Sequence, residues 1–379
     1  MSNQPKVTAI VPCRNEEKYI EACLRSLTAQ DYPRELLEIL IVDGMSEDGT
    51  RAIVGEWSVR DPRVRLVDNP NRVTPYAWNI GIRAAMGEVV CLMGAHAHFF
   101  PDYVSQSVKY LEEYKADNVG GILKTIIAEE GAGSETGQGQ GAEQGQGQGQ
   151  GVMGAGAKQG QGAGGARRKG NVAARAIALV LSSMWGTGGA GFRVGAGEYE
   201  KPRWVDTVFG GCYRRELFER VGYFNEKMTR AQDMEFNLRL GRAGGKILLV
   251  PSIVAEYYPK NSMGSFAKHN WVDGFWSVYP MKWGVVLKLR HILPGVLTGG
   301  ALLCLLLGAL WSPLWWLLAA GLVLHTLVSL LAAGVTAKRE GDARLVFPMV
   351  VAFFIRHFVY GAGSVWGGVK LVGEKVVGR

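Results

Sequence analysis

The chain has 379 residues, 47% of them hydrophobic and 20% charged, and carries a net charge of +8. That composition excludes a disordered chain and suits one large domain with an appendage, or two domains. A basic balance points to nucleic acid or to an anionic membrane surface. The basic residues are not interleaved with aromatics and no nucleic-acid module is recognisable, so the membrane reading is favoured and no nucleic-acid partner is expected.

Strand and helix signals alternate through the first 125 residues. Residues 7–12 read as a strand and 16–30 as a helix with Ile20, Leu24 and Leu27 on one face. Strand 38–42, a helix from 50 to 58, strand 64–67, helix 76–86, strand 88–93 and helix 101–114 follow. This order predicts an α/β fold with a mostly parallel sheet. Ligands bind such sheets beyond the carboxyl ends of the strands. Cys13-Arg14-Asn15-Glu16, Asp43 and His96 therefore share one rim. Residues 1–6 run straight into the first strand with no apolar signal region. Five cysteines (Cys13, Cys23, Cys91, Cys212 and Cys304) are scattered without a CxxC pair, and they read as buried thiols of a reducing compartment.

Residues 129–170 collapse into Gly, Gln and Ala repeats that cannot bury apolar surface, which predicts a disordered insertion. Folded sequence resumes over 171–285, and 286–379 forms a membrane region. Segments 293–311 and 314–335 are each long enough to cross about 30 Å of hydrocarbon, with a tight hairpin at Ser312-Pro313. Lys282, Lys288 and Arg290 precede the pair, and Lys338, Arg339 and Arg344 follow it. Positive flanks put both ends, and with them the soluble domain, on the cytoplasmic side of the inner membrane. A third apolar segment, 345–372, contains Arg356-His357; that interruption favours an interfacial or re-entrant helix over a third span.

Asp43 lies at a strand tip in Asp43-Gly44-Met45-Ser46-Glu47-Asp48, where a carboxylate can hold a base or ribose. The same turn also reads as a cap for the helix beginning near Thr50. The combination of "VTAIVPCRNEEKYIEACLRSLTAQDYP", "EILIVDGMSEDGTRAIV" and "VTPYAWNIGIRAAMGEVVCLMGAHA" resembles the inverting family 2 glycosyltransferases of the GT-A fold. The resemblance covers residues 6–285 apart from the Gly/Gln tract, and is strongest to the succinoglycan type, which adds sugars to lipid-linked exopolysaccharide units.

That resemblance implies roles for particular residues. Pro12, Asn15 and Glu16 match the first nucleotide-contacting loop, and Asp43 the acid at the base or ribose. Arg72 and Asn79 fall where the third loop and helix approach the diphosphate and sugar; Asn79 reads equally as a structural residue. Family members carry Asp-x-Asp at the end of the fourth strand, where it positions a divalent metal. Here Gly94-Ala95-His96 occupies the place, leaving Ala95 beside the nucleotide-sugar and His96 as ligand for Mn²⁺ or Mg²⁺. Arg14, Arg72, Arg230 and His269 are the charges that would replace or assist the metal. Gly210 and Gly211 match the acceptor-side segment, as does Gln232, and Asp233 matches the catalytic base.

The implied reaction moves a sugar from a UDP-sugar, UDP-glucose among the candidates, to a polyprenyl-linked glycan at the inner leaflet, within a polysaccharide assembly complex. Two alternatives stay open: transfer to polyprenyl phosphate itself, and an inactive member kept as a scaffold. The Gln-x-x-Arg-Trp signature of processive synthases is absent after Asp233, so single addition is expected.

Overall fold

The computed structural model describes residues 4–125, 171–188, 201–257, 262–285 and 289–376. The expected insertion at 129–170 lies outside the described residues. Every residue of β2 (Leu37–Asp43) is buried. Its near-continuous apolar run is the pattern of a parallel strand covered on both faces. β1 (Val7–Cys13) pairs in parallel with β2 and with β4 (Val89–Leu92), and β3 (Val64–Asp68) extends the sheet from β2. Helices α1 (Glu17–Thr28), α2 (Thr50–Arg60) and α3 (Thr74–Ala84) make the crossovers, and α1 buries the expected Ile20, Leu24 and Leu27. These elements end within two residues of the boundaries read from periodicity.

Beyond β4 the sheet becomes mixed. It contains β5 (Ala97–Phe99), β6 (Asn118–Thr125), β7 (Arg203–Val205), β8 (Phe209–Arg214) and β9 (Ile247–Tyr257), with α4 (Tyr103–Glu113) between β5 and β6. The order is β3-β2-β1-β4-β8-β6-β9-β5, with β7 also on β9. β8 runs antiparallel to both β4 and β6, whereas β6 and β9 are parallel. The β4–β8 register sets Cys91 opposite Cys212, and the two are joined by a disulfide. The expectation of five thiols is therefore corrected; a pairing across 121 residues is created by strand register, which spacing in sequence does not reveal. Cys13, Cys23 and Cys304 are free.

Helices α5 (Val172–Leu181), α6 (Met184–Thr187), α7 (Leu217–Val221) and α8 (Gln232–Arg242) belong to the second half. α8 buries Phe236 and Leu240 against Phe218 and Phe224 of the core. Each such side chain contributes about 1.5–3 kcal/mol on burial. On the same helix, Arg239 ties Glu235 to the carbonyls of Val221 and Tyr223, fixing the loop that leads into it.

The C-terminal region comprises α9 (Met263–Val278), α10 (Leu289–Leu307), α11 (Pro313–Glu340), α12 (Val346–Phe354) and α13 (Tyr360–Val376), with a π-helical turn at Ile355–Val359 joining the last two. Among the described residues, two helical runs suffice by length and composition to cross a membrane, Pro313–Glu340 and Ala343–Val376; the apolar helix His291–Leu307 is shorter. Of the expected segments, 314–335 and 345–372 lie within these two runs, and 293–311 overlaps the shorter helix. The continuity of 345–372 turns on how Arg356-His357 is met. Arg356 donates to the Gly186 carbonyl at 3.0 Å and to Asn270 Oδ1 at 2.9 Å. His357 sits 2.9 Å from both His325 Nε2 and the Trp185 carbonyl. Protein groups, not lipid, meet these polar side chains, so the helix continues through them.

Candidate active site

The carboxyl ends of β1–β4 converge with β8 and the start of α8 around a cavity of about 370 Å³. Pro12, Cys13, Arg14 and Glu16 line it from the first loop, Gly44 from the second, and Asn69, Arg72, Thr74 and Trp78 from β3 and α3. Gly94, Ala95 and His96 contribute the floor after β4. Gly210, Gly211 and Tyr213 of β8 and Gln232 and Asp233 of α8 close the other side. Nine of the sequence-predicted residues thus come together: Pro12, Glu16, Arg72, Ala95, His96, Gly210, Gly211, Gln232 and Asp233.

Three others stand behind the wall. Asp43 is fully buried, accepting from the Ser46 N–H at 2.9 Å, the Ser46 hydroxyl at 2.5 Å and Arg51 at 2.7 Å. Burial opposes its ionisation, yet these hydrogen bonds and the Arg51 charge outweigh it and hold the carboxyl below its ordinary range. Asn15 clasps the neighbouring loop, its N–H donating to Ser46 Oγ and its Oδ1 accepting from the Glu47 N–H, each at 2.9 Å. Asn79 is buried and bonds the backbone of Phe224. All three were expected to contact the donor. In the structure their side chains bond within the scaffold, to partners invisible in local sequence.

The loops around the cavity carry backbone strain. Asn15, Met45, Arg72 and Ala231 have positive φ, at 54°, 57°, 63° and 58°. Each such conformation costs about 1–3 kcal/mol and concentrates at functional sites. Ala231 precedes α8, so its left-handed turn sets the direction in which Gln232 and Asp233 enter the cavity. Gly210 also has positive φ, at 57°, and a Cβ there would meet the Tyr103 hydroxyl at 2.5 Å. That hydroxyl donates to the Gly210 carbonyl at 2.7 Å, so a glycine is required to keep the wall thin here.

The two histidines after β4 part company. His96 Nδ1 lies 3.5 Å from Glu16 Oε1 on the cavity wall. His98 turns toward Glu256 of β9, at 3.8 Å, and packs edge-on to Phe100. Among the expected auxiliary charges, Arg14 and Arg72 line the cavity. Arg230 and His269 do not; they lie 2.8 Å apart, and both approach Asp273 of α9 at 3.4 Å. Among the described residues no group of three or more His, Cys, Asp and Glu gathers into a metal cage. One imidazole and one carboxylate remain, which suits a divalent ion completed by diphosphate oxygens and water.

Sequence reading missed several wall residues, among them Asn69, Thr74, Trp78 and Tyr213. The signal was present: Asn69 directly follows β3, where the strand-tip rule already placed the site.

The Glycosyl transferase family 2 model matches residues 8–138. Over 271 residues the chain is 31% identical to the dolichyl N-acetyl-α-D-glucosaminyl phosphate 3-β-D-2,3-diacetamido-2,3-dideoxy-β-D-glucuronosyltransferase of Methanococcus voltae, covering 69% of this chain and 70% of that one. It belongs to glycosyltransferase family 2. The glycosyltransferase is also 27% identical over 253 residues to the succinoglycan biosynthesis protein ExoA of Rhizobium meliloti, spanning 66% of its own length and 62% of that relative. Its fold matches the mannosyltransferase PcManGT from Pyrobaculum calidifontis, solved with GDP-Man and Mn²⁺, at a TM-score of 0.55 and 22% identity over 99% of this chain and 89% of that one. The glycosyltransferase therefore has the GT-A fold.

Proposed function

We propose that this glycosyltransferase transfers a sugar, with inversion, from a UDP-sugar to a lipid-linked glycan acceptor, using Asp233 as general base. The observation that carries the reading is that Asp233, at the first turn of α8, shares one cavity with the tips of the parallel strands. The strand tips suit the nucleotide and the helix start suits the reacting sugar. Residues 1–128 then form the donor half, 171–285 the acceptor half and 286–379 the membrane region.

In the reaction, the acceptor oxygen bonds to the anomeric carbon as the bond from that carbon to the diphosphate breaks. The acceptor hydroxyl proton passes to Asp233, and general-base help of this kind is worth about 10²–10⁴-fold. Arg14 and Arg72 supply positive charge on the wall where the leaving diphosphate gathers. Glu16 and His96 are the residues that would hold a Mn²⁺ or Mg²⁺ ion, whose chemistry would be to offset diphosphate charge.

Pro313–Glu340 and Ala343–Val376 anchor the enzyme, with the cavity on the cytoplasmic side. That arrangement presents the cavity to a lipid-borne acceptor and to a polysaccharide assembly complex. A glycan already on lipid is favoured over bare polyprenyl phosphate. The Methanococcus relative is named for acting on a sugar carried by dolichyl phosphate, and the Rhizobium relative for succinoglycan biosynthesis. Asp233 on the cavity wall argues against an inactive scaffold.

The test is transfer of radiolabelled sugar from a panel of UDP-sugars into lipid extracts of membranes containing the full chain. Polyprenyl-diphosphate sugars and polyprenyl phosphate serve as separate acceptors. Label should enter the former, and Asp233→Asn should abolish most of it. Transfer by Asp233→Asn at the wild-type rate would overturn the assignment of the base, and label only in polyprenyl monophosphate sugar would overturn the acceptor.

A further inference from the structure

Helix α9 presents two stripes to two different parts of the molecule. Phe266, Asn270, Gly274 and Ser277 are buried at helical spacing. That stripe meets the membrane run Ala343–Val376: Asn270 Oδ1 accepts from Arg356 at 2.9 Å, and the Gly274 carbonyl accepts from Ser364 Oγ at 3.1 Å. One residue back, His269 and Asp273 form a second stripe, four residues apart. Both meet Arg230, two residues before α8: its Nη2 lies 2.8 Å from His269 Nδ1 and its Nε 3.4 Å from Asp273 Oδ1. His269 Nε2 is in turn 3.4 Å from Asp273 Oδ2, which closes a ring of three half-buried side chains. A guanidinium is a planar fork of donors, so the imidazole and the carboxylate are the acceptors that fix its direction.

We propose that Arg230 is a positioning residue for Asp233: clamped by His269 and Asp273, it holds the left-handed turn at Ala231 that aims the base, and so ties the base to the seat of the membrane run. This rests on the proposed role of Asp233. Ala231 has φ 58° and ψ 18°, a conformation that an alanine resists and a glycine accepts. No side-chain hydrogen bond caps α8 at Ala231, so the turn needs a hold from outside the helix. The rest of the loop is already fixed, since Asn79 bonds both backbone groups of Phe224 and Met228 is fully buried. On the other side, α8 is seated by Phe236 and Leu240. Between these two anchors the direction of the chain at 229–231 is set by where α9 holds Arg230. Arg230 lies off the cavity wall, which Asp233 lines, so its influence on transfer passes through the base and not through contact with substrate. A displacement of about 1 Å at a reacting group can cost about 10²-fold in rate.

The full chain in detergent tests this, by steady-state transfer from the UDP-sugar that the membrane assay selects and by calorimetric titration of UDP. Arg230→Met should lower kcat about 10- to 100-fold while donor KM and UDP affinity stay within about twofold of wild type. Asp273→Asn, which opens the ring from α9, should lower kcat in the same way, and the double variant should lose no more than the worse single one. Ala231→Gly in the Arg230→Met background should regain at least about threefold in kcat, because a glycine takes the left-handed turn without a hold. Lys268→Gln, beside His269 on the exposed face of α9, is the charge control and should transfer at the wild-type rate. Wild-type kcat in both Arg230→Met and Asp273→Asn, or a loss carried by KM and UDP affinity instead, overturns the inference and leaves the proposed function in place. No recovery in the Ala231→Gly double variant, or an equal loss in Lys268→Gln, overturns it as well. If Asp233→Asn transfers at the wild-type rate, the proposed base falls and the inference with it. Should Arg230→Met fail to fold, Asp273→Asn, alone and with Ala231→Gly, decides by the same criteria.

Discussion

Asn79 and Phe224 bond one another in both directions. Asn79 Nδ2 donates to the Phe224 carbonyl at 2.9 Å, and its Oδ1 accepts from the Phe224 N–H at 3.0 Å. The pair stitches α3 of the first half to the loop before α8, across 145 residues. A second Asn79 contact, to Glu226 at 2.8 Å, reinforces it.

Asn79→Leu should therefore act on stability. Two buried backbone groups lose their partner, at about 1–3 kcal/mol each. Chemical denaturation should register a loss of about 2–4 kcal/mol, with donor affinity in the surviving folded fraction close to wild type. Unchanged stability with weakened donor binding would return Asn79 to the binding surface.

A metal seat shared by Glu16 and His96 makes a separable prediction. In the presence of UDP, Glu16→Gln and His96→Ala should each weaken Mn²⁺ binding by roughly ten- to a hundred-fold, read by electron paramagnetic resonance. His98→Ala should leave it alone, because His98 faces Glu256. Mn²⁺ affinity that survives both substitutions would assign the neutralising charge to Arg14 and Arg72.

Asp43 predicts an acid limb in the stability profile. Its folded-state carboxyl lies below the unfolded value of about 3.9, so its contribution is complete above that value and fades as pH falls through the depressed folded one. Asp43→Asn removes the interaction with Arg51 and should cost about 1.5–3 kcal/mol at neutral pH. Urea unfolding at pH 7 and near pH 3 should show that difference shrinking in acid. A gap that stays constant or widens on acidification would contradict the assignment.

The packing of α9 on α13 depends on missing side chains. A Cβ on Gly274 would strike the Tyr360 carbonyl, and one on Gly363 the Trp271 carbonyl. Backbone cannot yield as a flexible side chain does, so Gly274→Val and Gly363→Val should each reduce folded protein recovered in detergent, and Gly264→Ala, with open space around its Cβ position, should not. Equal recovery of all three would mean the helices separate without penalty.

What the sequence determined by itself was periodic and local. Apolar spacing gave β1–β4 and α1–α3 to within two residues, and the strand-tip rule put Pro12, Glu16 and His96 on one rim. The family motif marked Asp233 and Gln232, which the αL turn at Ala231 brings to that rim. Tertiary structure decided every question that turned on a distant partner. Ser46 and Arg51 draw the Asp43 carboxylate inward, and Phe224 claims Asn79. Strand register joins Cys91 to Cys212, and Gly186 and Asn270 answer the charge of Arg356 inside an apolar helix. A polar residue's role follows from which hydrogen bonds it makes. Periodicity cannot report that, because the partners are brought together only by the fold.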